Sequence, residues 1–231
     1  MEPARKYIQS QLKSIGNKQR GARYIFVLTG AVFIYLAAYL LAISNDPVNG
    51  LERPIFEAVN QLPAVLYPVF YIFTQFGSIS TLILWVAAGW YLVNRRTAAT
   101  VLCAGAAAGL LTIVAKASVH RGRPGVLLDN VHLFSGEKFS GFGFPSGHST
   151  FSAACATVLY YQVAPEYRKY LIGIVFLVGL SRMFLGAHFP LDVVGGWAFG
   201  TAIGAFTVLL LGISKPNISV AKLKKYLGKR S

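Results

Sequence analysis

The sequence predicts an all-α protein: a polytopic six-helix transmembrane bundle with a short re-entrant or interfacial helix between the first two spans. Three observations predict it. Hydrophobic residues make up 55% of the 231 positions, and the mean hydropathy is +0.53. Only 13% of residues are charged, against about 25% in a soluble domain. The apolar residues gather into runs that reach or approach the roughly 20 residues needed to cross a bilayer.

The first span is read at 24–43. That run is too long for the core of a secretory signal peptide and no cleavage site follows it. The next apolar stretch, 62–77, holds Pro63 and Pro68 and ends at Gly77-Ser78. A proline inside a helix removes a hydrogen bond and bends the axis. This stretch therefore reads as the re-entrant or interfacial helix, or as a lead-in to the second span at 78–93. The remaining spans are read at 97–118, 149–163, 170–185 and 191–213. Cys103 and Cys155 lie inside apolar runs and read as small hydrophobic filler.

The net charge of +14 raises nucleic acid as a partner, but the distribution of charge argues against it. With six spans and an internal N-terminus, all but Arg53, Lys116, Arg121, Arg123, Lys138 and Arg182 of the 22 basic residues fall on the cytoplasmic side. That asymmetry is the positive-inside pattern of a multi-pass protein of the cell membrane. A seventh span at 62–77 would break it by moving Arg95 and Arg96 to the opposite face. The organisation expected is a basic cytoplasmic segment at 1–22, a membrane domain at 23–213 and a basic cytoplasmic tail at 214–231. Ile8, Leu12 and Ile15 near the start, and Leu223 and Leu227 near the end, sit among basic residues. Each set fits either an amphipathic helix on anionic lipid or a solvated tail. No oligomeric state is implied.

Three segments, far apart in the chain, fall on the outer side of this topology. They are Lys116-x6-Arg123-Pro124, Pro145-Ser146-Gly147-His148 and Ser181-Arg182-x5-His188-x3-Asp192. A charge at membrane depth is costly unless it has a partner or a function. Asp192 is alone among eight acidic residues in lying within a predicted span, and Arg182 interrupts the apolar run 171–185. His188 and Asp192 are four apart, a spacing that shares one face at a helix start. Pro190 is tolerated there because the first N–H groups have no intrahelical partner. A carboxylate so placed fixes the imidazole tautomer and frees the other nitrogen to attack, as in catalytic triads. A capping Asp beside a structural His is the plainer reading of that pair alone.

Pro145-Ser146-Gly147-His148 precedes an apolar helix, whose N-terminus offers free N–H groups to an anion. Gly147 admits close approach of the backbone. His148 is positioned to protonate a leaving oxygen. Lys116, Arg123 and Arg182 suit phosphate oxygens. No acidic cluster fits Mg²⁺ or Ca²⁺, so no metal or cofactor is expected. His120 and His132 take no part in the set and read as an interfacial and a loop residue.

These segments resemble the three signature motifs of the type-2 phosphatidic acid phosphatase superfamily, which includes glucose-6-phosphatase and the vanadium haloperoxidases. The chain matches every fixed position of the pattern in order and spacing, and the resemblance covers about 76–211. It implies a phosphohistidine mechanism. His188 is then the nucleophile, Asp192 its orienting partner and His148 the general acid. Lys116, Arg123, Ser146, Gly147 and Arg182 bind the phosphate. The membrane composition is similar to the bacterial lipid-phosphatase branch rather than the soluble haloperoxidases. The resemblance thus implies a membrane lipid substrate in the bilayer, with the site on the extracytoplasmic face. Substrates in that branch include undecaprenyl diphosphate, phosphatidylglycerophosphate, phosphatidate and the 1-phosphate of lipid A. The alternatives are a phospholipid-binding or transport protein without turnover, and a vanadate-dependent peroxidase. The loop 125–144 carries Leu127, Leu128, Phe134, Phe139, Phe142 and Phe144. It fits either an apolar lid over lipid chains or a packed cap.

Overall fold

A computed structural model describes residues 2–134, 141–160 and 162–212. Among these residues its regular structure is helical, with no strand. The helices are α1 (Glu2–Ser44), α2 (Glu52–Asn60), α3 (Tyr67–Gln75), α4 (Leu82–Leu92), α5 (Arg95–Val119), α6 (Pro124–Leu127), α7 (Gly147–Tyr160), α8 (Pro165–Phe184) and α9 (Pro190–Leu211). A helix stands at each position where the sequence predicts a span. The segments Gly21–Ser44, Arg95–Leu127 and Pro190–Leu211 are long and apolar enough to cross a membrane by themselves. The side chains of Ile8, Leu12 and Ile15, the basic tail 214–231, Lys138 and Phe139 lie outside the described residues.

The chain bends at Pro63, in the break that opens the stretch 62–77. α2 and the helical segment Ala64–Gln75 meet at 78°. Pro68 lies in the first turn of α3, where a missing N–H costs nothing. The sequence reading did not anticipate α2. Its nine residues include Glu52, Arg53 and Glu57 and resemble a polar loop more than a helix.

α7 and α9 form the centre. Gly196, Gly200 and Gly204 recur every four residues, so they line one face of α9. A Cβ on Gly196 would meet the Ser146 carbonyl oxygen at 2.7 Å, and one on Gly204 the Ala154 carbonyl oxygen at 2.6 Å. Small residues at this spacing let two helix backbones approach closely within a membrane. α1 lies against α9 through Ala31, Ala38 and Ala42, all buried. Tyr35 stacks on Phe199 at 4.7 Å. Phe26 and Phe33 on the outer face of α1 are 81% and 73% exposed, the orientation expected of side chains that meet lipid. Val101, Ala104, Phe151, Cys155 and Leu159 fill the core between α5 and α7. Cys155 is buried there, whereas Cys103 is exposed, and both are free thiols.

The cap over one end of the bundle is packed. Phe134 stacks on Phe184 at 4.5 Å and on Tyr67 at 5.8 Å. Phe144 is fully buried and lies against Tyr35 and Tyr39. Leu128 packs on the cluster of Phe56, Met183 and Phe189. Leu127 and Phe142 of the same loop are exposed, so its described residues are packed in part and leave both alternatives open.

Candidate active site

Four helix termini meet under this cap: the C-terminus of α5, the N-terminus of α7, the C-terminus of α8 and the N-terminus of α9. Each terminus has a local cause. α5 ends where His120 adopts a left-handed conformation (φ 54°). This is a role the sequence did not suggest for His120, whose ring also meets Phe142 edge-on at 4.3 Å. α8 ends in a Schellman turn. Gly186 has φ 77°, its N–H donates to the Met183 carbonyl, and the Ala187 N–H donates to the Arg182 carbonyl. Only glycine takes that conformation without strain. The turn sends the chain back across the site, so Ala187 and His188 follow directly.

α9 starts at Pro190, and Asp192 occupies its third position. Asp192 Oδ2 accepts the Phe189 N–H at 3.0 Å, closing the first turn. His188 stands just before the helix rather than on it, with Nδ1 3.4 Å from Asp192 Oδ2. Both side chains are buried. Asp192 Oδ2 and the 141–144 segment are in close contact, since a Cβ on Gly143 would lie 2.9 Å from that oxygen.

The three predicted cations surround this pair. Lys116 donates from Nζ to the Phe142 and Gly143 carbonyls at 2.7 and 3.2 Å. Arg123 donates to the Gly141 carbonyl at 3.2 Å and the Ala187 carbonyl at 3.4 Å. Arg182 is buried and donates from Nη1 to Thr74 Oγ1 at 2.9 Å. All three act on both His148 and His188 through their charge. Burial first, and then the charges of Lys116, Arg123 and Arg182, hold His188 well below the ordinary imidazole range. It is therefore neutral, with a free nitrogen lone pair, at physiological pH.

His148 is half-buried on the first turn of α7 and lies within electrostatic reach of His188. Ser146, fully buried, joins the two helices: its N–H donates to the Asp192 carbonyl at 2.8 Å. Its Oγ accepts from Ser149 at 3.1 Å. A Cβ on Gly147 would make only ordinary contact with Thr112, at 3.6 Å. Packing within the protein does not demand a glycine there, whereas a ligand approaching the α7 N-terminus would. Every sequence-predicted site residue lies in this one region.

The sequence reading missed four contributors. Arg121 and Glu52 form a buried ion pair beside Asp192. Thr74 holds Arg182, and Asn60 fastens α2 by donating to the Phe184 and His132 carbonyls at 2.8 and 3.0 Å. All except Arg121 lie on the bent α2–α3 pair. The bend at Pro63 was visible, but the helix before it and what the pair carries were not.

The sequence model of the PAP2 superfamily matches residues 97–215. A lipid A 1-phosphatase of Rhizobium johnstonii is 37% identical over 113 residues, which are 44% of this chain and 43% of that protein. The matched segment thus spans less than half the length of that relative. An undecaprenyl-diphosphatase of Sulfolobus acidocaldarius is 24% identical over 193 residues, 80% of this chain and 91% of that protein. The crystal structure of Aquifex aeolicus LpxE superposes with a TM-score of 0.63 at 27% identity, covering 69% of this chain and 95% of that one.

Proposed function

Because the chain belongs to the PAP2 superfamily, we propose that it is a multi-pass membrane phosphatase that hydrolyses a lipid phosphomonoester or diphosphate. The observation that carries this reading is the convergence of Lys116, Arg123 and Arg182 on the His148, His188 and Asp192 cluster at one end of the bundle. Three cations around two imidazoles suit a phosphate with two or three negative oxygens. The nearby carboxylates, Glu52 and Asp192, are both bound to Arg121, so the groups facing the headgroup are cationic rather than metal-binding.

In the proposed reaction the headgroup phosphorus lies between His188 and the α7 N-terminus. His188 attacks through the nitrogen turned away from Asp192, forming a P–N bond as the P–O bond to the lipid breaks. His148 gives its proton to the departing oxygen. Asp192 accepts the other imidazole N–H and stabilises the positive charge that develops on the ring. Water then attacks the phosphohistidine. His148 takes the water proton, the P–N bond breaks and inorganic phosphate leaves. Lys116, Arg123, Arg182 and the Ser146–Gly147 backbone stabilise the charge on the equatorial oxygens of both transition states.

The sequence topology sets the site on the extracytoplasmic face of a six-span domain, with both basic termini inside. Undecaprenyl diphosphate, phosphatidylglycerophosphate, phosphatidate and the lipid A 1-phosphate are the substrates to test. The experiment is phosphate release from each lipid by the purified, detergent-solubilised protein with EDTA present and His188→Ala as control. Release that the substitution abolishes supports the reading. Complete loss in EDTA that Mg²⁺ restores would overturn the metal-free mechanism. Retention of the lipid without release would favour a binding or transport protein.

A further inference from the structure

We propose that Glu52 and Arg121 are positioning residues for the reaction, forming with Asp192 a buried charge chain that fixes the orientation of His188. The proposal rests on the assignment of His188 and Asp192 made above. It concerns two residues outside the motif set, one of them on a helix that precedes the family-matched region altogether.

The chain is continuous. Arg121 Nη1 donates to Asp192 Oδ1 at 2.8 Å, while Oδ2 of the same carboxylate takes the Phe189 N–H and faces His188. The other terminal nitrogen of Arg121, Nη2, is paired with Glu52 Oε1. Glu52 Oε2 accepts the Leu191 N–H at 2.8 Å, a free donor in the first turn of α9. Glu52 therefore binds the arginine that holds Asp192 and also the helix turn on which Asp192 rides. The guanidinium lies over the Phe189 ring at 5.4 Å. The side chains of Arg121, Glu52 and Asp192 are 4%, 6% and 0% exposed, so none of these charges is screened by water.

Position and charge both separate Arg121 from the phosphate-binding cations. It lies between Lys116 and Arg123 in the chain, yet its guanidinium is paired with two carboxylates, whereas Lys116 and Arg123 reach backbone carbonyls. An arginine facing Asp192 alone would draw the carboxylate charge away from His188. Glu52 offsets that pull. Two anions share one cation, which leaves a net negative charge to support the imidazolium that forms on attack. The planar guanidinium fork makes the bridge, and a lysine offers no such fork.

The test uses the full-length protein in detergent with phosphatidate as probe. Glu52→Gln keeps the shape and removes the charge. It should lower kcat about tenfold with KM within twofold, the range of partners that orient a functional ligand from behind. Arg121→Lys should lower kcat more, by about 10- to 100-fold. The double variant should fall well short of the product of the two, since both act through one chain. Glu57→Gln, at the exposed Arg53–Glu57 pair, is the control and should change nothing.

A second readout does not need turnover. The chain has four histidines, so ¹³C-histidine spectra assigned by single substitution report the tautomer of His188 directly. In Glu52→Gln the fraction protonated at Nδ1 should fall. If the wild type releases no phosphate from any of the four lipids named above, the phosphatase reading fails and the spectra still decide the positioning role. Wild-type kcat and an unchanged His188 spectrum in Glu52→Gln would overturn the proposal. So would a loss confined to KM in Arg121→Lys, which would make Arg121 a phosphate ligand. Should Glu52→Gln fail to fold, Glu52→Asp, which keeps the charge and shortens its reach, is compared by the same two readouts.

Discussion

Asp192→Asn tests the orienting role most sharply, because the amide must fail in one of two ways. The carboxylate presents two oxygens to three donors: Arg121 Nη1 at 2.8 Å, the Phe189 N–H at 3.0 Å and His188 Nδ1 at 3.4 Å. An amide has one oxygen and an NH₂ group. If its oxygen faces Arg121, the NH₂ group points at the Phe189 N–H and His188. The imidazole must then accept through Nδ1, which moves its proton to the nitrogen that should attack. If the oxygen instead faces His188, the NH₂ group opposes a buried guanidinium. Either way the reactive tautomer loses its support. The corresponding change in a serine-protease triad costs about 10⁴ in kcat. The pair here is longer, at 3.4 Å, so a loss of about 10²–10³ is expected, equivalent to about 3–4 kcal/mol of transition-state stabilisation. Phosphate release across substrate concentrations, with KM and kcat resolved, is the assay. KM should change little, since Asp192 faces away from the headgroup. A rise in KM with kcat preserved would refute the reasoning and make Asp192 part of the binding surface.

Thr74→Val keeps the shape of the side chain and removes the acceptor for Arg182 Nη1. A hydrogen bond to a charged group contributes about 1.5–3 kcal/mol, so kcat/KM should fall at least tenfold in the same assay. Gly204→Ala drives a methyl group to 2.6 Å from the Ala154 carbonyl and should destabilise the protein by about 1–3 kcal/mol. Gly30→Ala, which meets nothing within 4 Å, should hold or raise stability; unfolding in detergent compares the two. The acid limb of kcat/KM should lie below about pH 6.5, the ordinary imidazole value. His188 must be neutral to attack, and its surroundings already disfavour the proton, so activity persists as pH falls until that lower value is reached. An acid limb above 6.5 would contradict this assignment.

The residues proposed to bind and attack phosphate were legible because their types and spacings are those the proposed reaction dictates. The residues that hold them were not. Glu52 opens a short charged helix outside every apolar run, and nothing local distinguishes it from a loop carboxylate. Its signal was scarcity: a chain with eight acidic residues and 22 basic ones has few anions with which to balance a buried arginine. Arg121 was hidden between two motif positions. Thr74 sat in an apolar stretch whose prolines announced a bend but not its direction. The Gly196–Gly200–Gly204 series was readable at its four-residue spacing, yet its partner, the α7 backbone, is set only by the assembled bundle. The left-handed turn at His120 had no sequence signal, because glycine and asparagine are the residues that ordinarily mark one.

The hydrogen bonds of Lys116 and Arg123 to the carbonyls of Phe142, Gly143, Gly141 and Ala187 have a consequence for turnover. On the proposed function, the protein solvates its own headgroup site. Those carbonyl oxygens stand where water would stand around a free ammonium or guanidinium, so an arriving phosphate exchanges one set of oxygen neighbours for another. Its affinity is the difference between two solvations, not the full attraction of three cations for a dianion. The same exchange runs backwards after hydrolysis, when the loop carbonyls compete with inorganic phosphate for the cations and so speed its departure. A headgroup would thereby be held loosely as ground state and product of the proposed reaction, leaving the strongest attraction for the crowded, more highly charged arrangement in between.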